Sequence, residues 1–239
     1  MKSASSRRGP KTPDGLDQVY GVHALQSLLD RGEAPRELWV QQGAGSRLKE
    51  LITQAQAHGA RVKEQPRDLL DQLTQGAAHQ GVVAFCPPLT PEGEESLWLK
   101  LRAWPSNTPP LLLILDGVTD VHNFGACLRS ADAAGAHGVI VAKDKAAPLN
   151  ATVRKVACGA AEVVPVYQVT NLARTLAKLK DAGVWITGTA GEAEASVFDI
   201  DMTGPTALVM GAEGKGMRRL TREACDNLAK LPMAGEVSS

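Results

Sequence analysis

Three short segments of the 239-residue chain hold residue types whose spacing suits ligand binding and group transfer. The first runs Leu115-Asp116-Gly117-Val118-Thr119-Asp120-Val121-His122-Asn123-Phe124-Gly125 and continues to Arg129. Asn123 and Gly125 sit where a helix should start, with Arg129 further along it. The amide and the guanidinium would then project near the mouth of a sheet. On spacing alone Asn123 serves equally well as an N-cap, and Arg129 as a surface charge. The second segment is Gly211-Ala212-Glu213-Gly214-Lys215-Gly216-Met217, where glycines let the backbone approach a ligand closely around one acid, Glu213. It is neither G-x-G-x-x-G nor a P-loop, and a plain turn fits it as well. Lys215, Arg218, Arg219 and Arg222 suit phosphate contacts or a solvated helix face. So does a second basic cluster, Lys143, Lys145, Arg154 and Lys155. The third segment, Leu231-Pro232-Met233-Ala234-Gly235-Glu236-Val237-Ser238-Ser239, reads as strand, then loop.

The elements that must position these segments alternate. After Pro110, Leu111–Leu115 is an all-aliphatic strand, the pattern of a strand buried on both faces. The spacing then predicts a helix over 123–134, a strand over 139–141, and a helix over 151–157 that Asn150 can cap. Next come a strand over 163–166, a helix over 172–182 and a strand over 185–187. A strand over 207–210, a helix around 220–224 and a last strand over 228–231 follow. Repeated β-α-β with short connections implies an α/β fold with a mostly parallel sheet covered by helices on both faces. Ligands in such folds bind at the carboxyl ends of the strands. The loops after Leu115, Thr187, Met210 and Leu231 are therefore the ones to watch.

Four stretches divide the chain. Residues 1–17 form a basic Ser/Pro/Gly-rich arm, expected to be disordered, with Lys2, Arg7, Arg8 and Lys11 ahead of any acid. Residues 18–86 read as a small α/β unit with helices at 22–29, 48–57 and 68–73 and strands at 38–40, 61–63 and 82–85. Residues 87–110 hold prolines 87, 88, 91, 105, 109 and 110. Proline breaks regular ladders, so a linker is expected there, with a short helix at 96–104. Residues 111–239 form the main domain.

Composition narrows the classes. Hydrophobic content of 44% and charged content of 22% are globular values, and a chain of this length can bury a full core. Aromatics at 4% argue against a base-stacking platform. Twenty-six basic residues balance 26 acidic ones, so any nucleic-acid contact must come from local patches. Cys86, Cys127, Cys158 and Cys225 lie far apart, with no C-x-x-C and no zinc spacing, which reads as buried free thiols and no metal. The polar start, Met1–Pro13, is unlike a secretory signal. The longest aliphatic run is too short to span a bilayer. A soluble, cytoplasmic protein with no membrane association is expected.

Taken together, D-G-V-x-D-x-x-N-x-G-A-C-L-R, then M-G-A-E-G-x-G-M, then L-P-M-x-G-x-V-S-S resemble, in order, the three motifs of the SpoU (TrmH-like) branch of the SPOUT methyltransferases. The resemblance extends to Leu149–Glu162, to Tyr20-Gly21-Val22-His23-Ala24 and to Ala78-His79-Gln80-Gly81-Val82-Val83-Ala84. It covers nearly all of residues 18–239 and lies nearest to the bacterial 23S rRNA guanosine-2′-O-methyltransferases.

The resemblance implies a deep trefoil knot in the second half, a homodimer whose site is completed by the partner, and an N-terminal RNA-binding domain. It implies S-adenosyl-L-methionine as cofactor, held around Thr189, Ala190, Gly211, Gly214, Leu231 and Met233. Arg129, Asn123 and Glu213 match the family's catalytic arginine, motif-one asparagine and motif-two glutamate. The implied partner is 23S ribosomal RNA or a pre-ribosomal particle, with a guanosine of the peptidyl-transferase P-loop as target. A free guanidinium stays protonated, so Arg129 is expected to orient the 2′-oxygen and phosphate and stabilise developing charge. Glu213 is expected to orient Arg129 or the RNA, and His122 is the alternative base. In the family the third motif continues with L-N-V-S and a helix, so the sequence is expected to extend past Ser239. Two rivals remain: a tRNA 2′-O-ribose methyltransferase and a non-catalytic RNA-binding protein. A Rossmann oxidoreductase is disfavoured by the lack of G-x-G-x-x-G after a strand.

Overall fold

The computed structural model describes residues 12–43 and 45–235, and the chain divides into two units after Leu89. Lys2, Arg7, Arg8 and Lys11 of the expected arm lie outside the described residues, as do Glu236–Ser239 of the third motif.

The first unit is a four-stranded mixed sheet with three helices. Its elements are β1 (Asp17–Tyr20), α1 (Val22–Asp30), β2 (Glu37–Gln41), α2 (Ser46–Ala57), β3 (Arg61–Gln65), α3 (Arg67–Thr74) and β4 (Val82–Cys86). The strand order is β1-β4-β2-β3, with β4 antiparallel to both neighbours and β2 parallel to β3. β4 is buried along its length. On one side Leu25, Leu28, Leu38, Val40 and Leu51 pack together. On the other, Leu70, Leu73, Val83 and Phe85 form a second cluster, with Trp39 edge-on to Phe85 at 4.9 Å. Two segments of the family resemblance meet here. Gln80, at φ 52, turns its Oε1 to accept from the Val22 backbone N–H at 2.8 Å, which caps α1 from across the chain.

The second unit is a seven-stranded sheet in which every pairing is parallel. It comprises β5 (Glu92–Gly93), α4 (Glu94–Arg102), β6 (Leu111–Asp116), α5 (Val121–Ala133), β7 (Gly138–Ala142), α6 (Ala151–Val156), β8 (Val166–Val169) and α7 (Leu172–Asp181). β9 (Trp185–Thr189), β10 (Thr206–Gly211), α8 (Arg219–Glu223) and β11 (Asn227–Ala229) complete it. The order is β11-β9-β10-β6-β7-β8-β5. Leu112, Ile114, Ile140, Val209, Ile186, Leu176 and Leu179 share one core. α7 buries Leu172, Leu176 and Leu179, the four-then-three spacing of one helix face.

Three expectations from the sequence are corrected. The stretch expected as linker does carry the expected short helix, as α4, but it also carries β5, which adds the outer edge of the sheet. Its prolines stand on either side of 92–104 and none lies inside. Glu94 ties α4 to Arg174 and Lys178 of α7 at 3.6 and 3.2 Å. The strand expected at 163–166 instead begins at Val166, because Pro165 has no N–H to enter the ladder. Its carbonyl still accepts from Val139 at 2.9 Å. Finally, the four cysteines are free thiols, but only Cys86 is buried; Cys127 and Cys225 are half-buried and Cys158 is exposed.

Among the described residues no helix is long and apolar enough to cross a membrane. Among them, too, no group of three or more His, Cys, Asp or Glu is placed to hold a metal ion.

Candidate active site

The chain leaves β6 toward β7 and β8 on one side, and returns to fill β9, β10 and β11 on the other. The strand order therefore reverses between β6 and β10, and open parallel sheets bind ligands at such a point. The two glycine-bearing segments lie at this reversal. Asp116, the last residue of β6, stands in register with Gly211, the last of β10. One strand further out, Val209 pairs with Gly188, and Thr189 pairs with Ala229 of β11.

The first loop enters α5 through Asp120, whose Oδ1 accepts from the Asn123 backbone N–H at 2.8 Å. Asp120 is thus the N-cap, not Asn123. This frees the Asn123 amide, which donates from Nδ2 to Glu213 Oε2 at 3.1 Å. Gly125 serves helix packing: a Cβ there would lie 2.6 Å from Val156 Cβ on α6. Arg129 lies on the exposed side of α5, and among the described residues its guanidinium has no hydrogen-bond or ion-pair partner. Glu213 therefore meets Asn123 rather than Arg129. His122 is exposed on the same helix.

The second loop closes on itself. Ala212 and Gly216 exchange backbone hydrogen bonds at 3.1 and 2.8 Å, with Gly214 and Gly216 at φ 72 and 66. The returning chain lies directly on Gly211, where a Cβ would fall 2.2 Å from Gly216 C and Met217 N. The loop exit is held by a pair that the sequence reading missed. The buried Asp116 carboxylate accepts from the Arg218 backbone N–H at 2.7 Å and from its Nε at 2.5 Å. The available signal was a lone acid ending an otherwise aliphatic strand.

The loop after β9 is zipped to the segment after β11. Ala190 N–H donates to Ala229 O at 2.9 Å, Lys230 N–H to Ala195 O at 2.9 Å and Val197 N–H to Lys230 O at 2.9 Å. Thr189 Oγ1 donates to Val209 O at 3.0 Å. These bonds place Leu231 and Met233, 47% and 58% exposed, just past the strand that flanks Thr189 and Ala190. Among the described residues the backbone N–H groups of Leu231 and Met233 have no protein partner. Open backbone donors, exposed aliphatic side chains and a single carboxylate suit a cationic nucleoside. A polyphosphate would call for a ring of N–H groups converging on it. The residues present thus fit S-adenosylmethionine.

The basic clusters are less free than their sequence suggested. Arg218 is paired with Asp116, Arg219 with Glu223 at 2.7 Å, and Arg222 with Glu192. Arg154 is buried against Glu162, its Nη2 donating to Oε2 at 3.0 Å, so it leaves the second cluster. Lys143, Lys145 and Lys215 remain exposed. Near the site, burial pushes the Cys225 thiol up to about 11, with Asp226 adding to the rise.

The fold and site define an α/β protein whose ligand cradle is built from the carboxyl-end loops of adjacent parallel strands, with an amide–carboxylate pair joining two of them. Comparison with known proteins makes the assignment specific. Residues 110–239 match the SpoU rRNA methylase family, and residues 18–92 match the substrate-binding domain of RNA 2′-O ribose methyltransferases. The chain belongs to the SpoU rRNA methylase family. It is 54% identical to the 23S rRNA (guanosine-2′-O-)-methyltransferase RlmB of Pseudomonas putida, over 94% of this chain and 90% of that relative. It is 56% identical to the RlmB of Pseudomonas aeruginosa, over 93% and 90%. Among solved structures, the SpoU methyltransferase AviRb from Streptomyces viridochromogenes, in complex with the cofactor AdoMet, superposes with a TM-score of 0.72 at 26% identity. That match covers 94% of this chain and 84% of AviRb.

Proposed function

We propose that this protein transfers a methyl group from S-adenosylmethionine to the ribose 2′-hydroxyl of a guanosine in 23S rRNA. The observation that carries the reading is the span of the likeness. Relatives bearing that activity in their names match across both units at more than half identity. In the second unit, the motif residues converge on the carboxyl ends of β6, β9, β10 and β11.

When bound, S-adenosylmethionine supplies a methyl group already activated by the adjoining sulfonium charge, so the protein needs no acid for the leaving group. What remains for the chain is alignment and the hydroxyl proton. Thr189, Ala190, Gly211, Gly214, Leu231 and Met233 are the residues we assign to the cofactor. Arg129, exposed and unengaged among the described residues, is assigned to orient the 2′-oxygen and neighbouring phosphate and to stabilise negative charge as the proton leaves. The guanidinium does not itself take the proton at ordinary pH; phosphate or water receives it. Asn123 and Glu213 hold the first and second loops in register around that position. The first unit is assigned to RNA capture and the second to methyl transfer. We further take the chain to be threaded as a trefoil knot, and the protein to act as a homodimer. Exposed Phe198 and Leu220 support an apolar contact with a second copy.

The test is incubation with tritiated S-adenosylmethionine and unmodified 23S rRNA transcript, with tRNA and an Arg129→Ala variant alongside, followed by mapping of 2′-O-methyl marks. One marked guanosine in 23S rRNA, lost in the variant, is expected. A mark on tRNA alone would reassign the substrate. RNA binding without any transfer would make this an RNA-binding protein that lacks the activity.

A further inference from the structure

We infer that Asp116 is a positioning residue that holds both ends of the second loop, with Arg218 as its partner. The inference rests on the methyltransferase reading and names how its cofactor loop is fixed. The main chain of Asp116 is in register with Gly211, where the loop leaves the sheet. Its carboxylate takes the backbone N–H of Arg218 at 2.7 Å and its guanidinium Nε and Nη2 at 2.5 Å, where the loop ends and α8 begins. One side chain thereby closes the loop at its base. At the tip, Glu213 reaches Asn123 at 3.1 Å. The two motif loops are tied twice, by an ion pair below and an amide above.

The burial of the pair is lopsided. The Asp116 side chain is 0% exposed and that of Arg218 46%. Burying a carboxylate costs several kcal/mol of hydration, so such a pair contributes little net stability. A charge-assisted fork does fix two chain segments in one relative geometry. Asp116 is wholly occupied by Arg218 and is closed to solvent, so it acts through the loop and not on substrate.

The test uses the full chain with S-adenosylhomocysteine as probe. Calorimetry gives its affinity, hydrogen exchange reports residues 212–217 without ligand, and steady-state assays give KM for RNA. Asp116→Asn and Arg218→Met are expected to weaken the probe about tenfold, as expected for losing a hydrogen bond to a charged group. They should also speed exchange across the loop and leave KM for RNA within about twofold. Arg218→Lys, which keeps the charge and loses the fork, should fall between. Arg218→Lys keeps a cation against the buried Asp116 carboxylate, so it reports even if Asp116→Asn or Arg218→Met folds poorly. Unchanged affinity in Arg218→Met, with or without faster exchange, overturns the inference. So does a rise in KM for RNA with probe affinity intact. No binding by the wild type overturns the functional reading and this inference together, whereas wild-type binding with unaltered variants overturns this inference alone.

Discussion

Gly211→Ala adds one methyl group to the loop that we assign to the cofactor. The new Cβ would sit 2.2 Å from Gly216 C and Met217 N, and 2.7 Å from Gly216 O. Carbon contacts settle at about 3.5 Å or more, so the returning chain must lift by about 1.3 Å. The obstacles are backbone atoms, which no rotamer change can move aside. Gly211 is not at positive φ, so alanine meets no dihedral penalty and the effect is purely steric. A lift of that size stretches the Asn123–Glu213 bond, now 3.1 Å, beyond hydrogen-bond range. Overpacking of this kind costs about 1–3 kcal/mol of stability. A misplacement near 1 Å costs about a hundredfold in rate. We therefore expect Gly211→Ala to fold, to melt a few degrees lower and to transfer methyl groups about a hundredfold more slowly in single-turnover assays. Gly204→Ala, whose Cβ would meet nothing within 4 Å, is the matched control. A folded Gly211→Ala enzyme with activity within about threefold of wild type would refute the steric argument.

Arg129→Ala should leave the melting temperature unchanged, because an exposed side chain with no partner among the described residues contributes within about 0.5 kcal/mol, yet cut methyl transfer by about a hundredfold or more; an active variant would remove Arg129 from the chemistry. Arg154→Met deprives fully buried Glu162 of its guanidinium and should cost about 3–5 kcal/mol, while adding Glu162→Leu should restore most of it; a single variant as stable as wild type in urea melts would contradict this. The Cys225 thiol, pushed up to about 11, is protonated below that value, so only about 0.1% is thiolate at pH 8. Iodoacetamide followed by mass spectrometry should modify exposed Cys158 first and reach Cys225 only as the pH rises toward 11; equal rates at pH 8 would show the shift to be wrong.

Much of the second unit was legible because its signals are local. Leu111–Leu115 has no polar residue and is buried from Leu112 onward, and the helix stops at Gly135 and Gly183 each fall two residues beyond the observed ends. Within the proline-flanked stretch 92–104 the short helix was legible and the edge strand was not. Glu94 and Glu95 in the first turn and Lys100 and Arg102 in the last mark a helix suited to its dipole. The edge strand beside it, Glu92–Gly93, is too short to announce itself.

The sequence by itself determined most of the element types, the α/β class and the family, since periodicity, aliphatic runs and ordered motifs are written in neighbouring residues. It also singled out Asn123, Arg129 and Glu213. Only the tertiary structure decided what those residues meet. Asp120 takes the cap and so releases Asn123 to Glu213. Arg154, outwardly one of a basic cluster, turns inward to Glu162. Asp116 and Arg218, 102 positions apart, close a loop between them. The reason is physical: a side chain's partner depends on which strands lie side by side, and the order β11-β9-β10-β6 is set by burying a shared core, which no local pattern records.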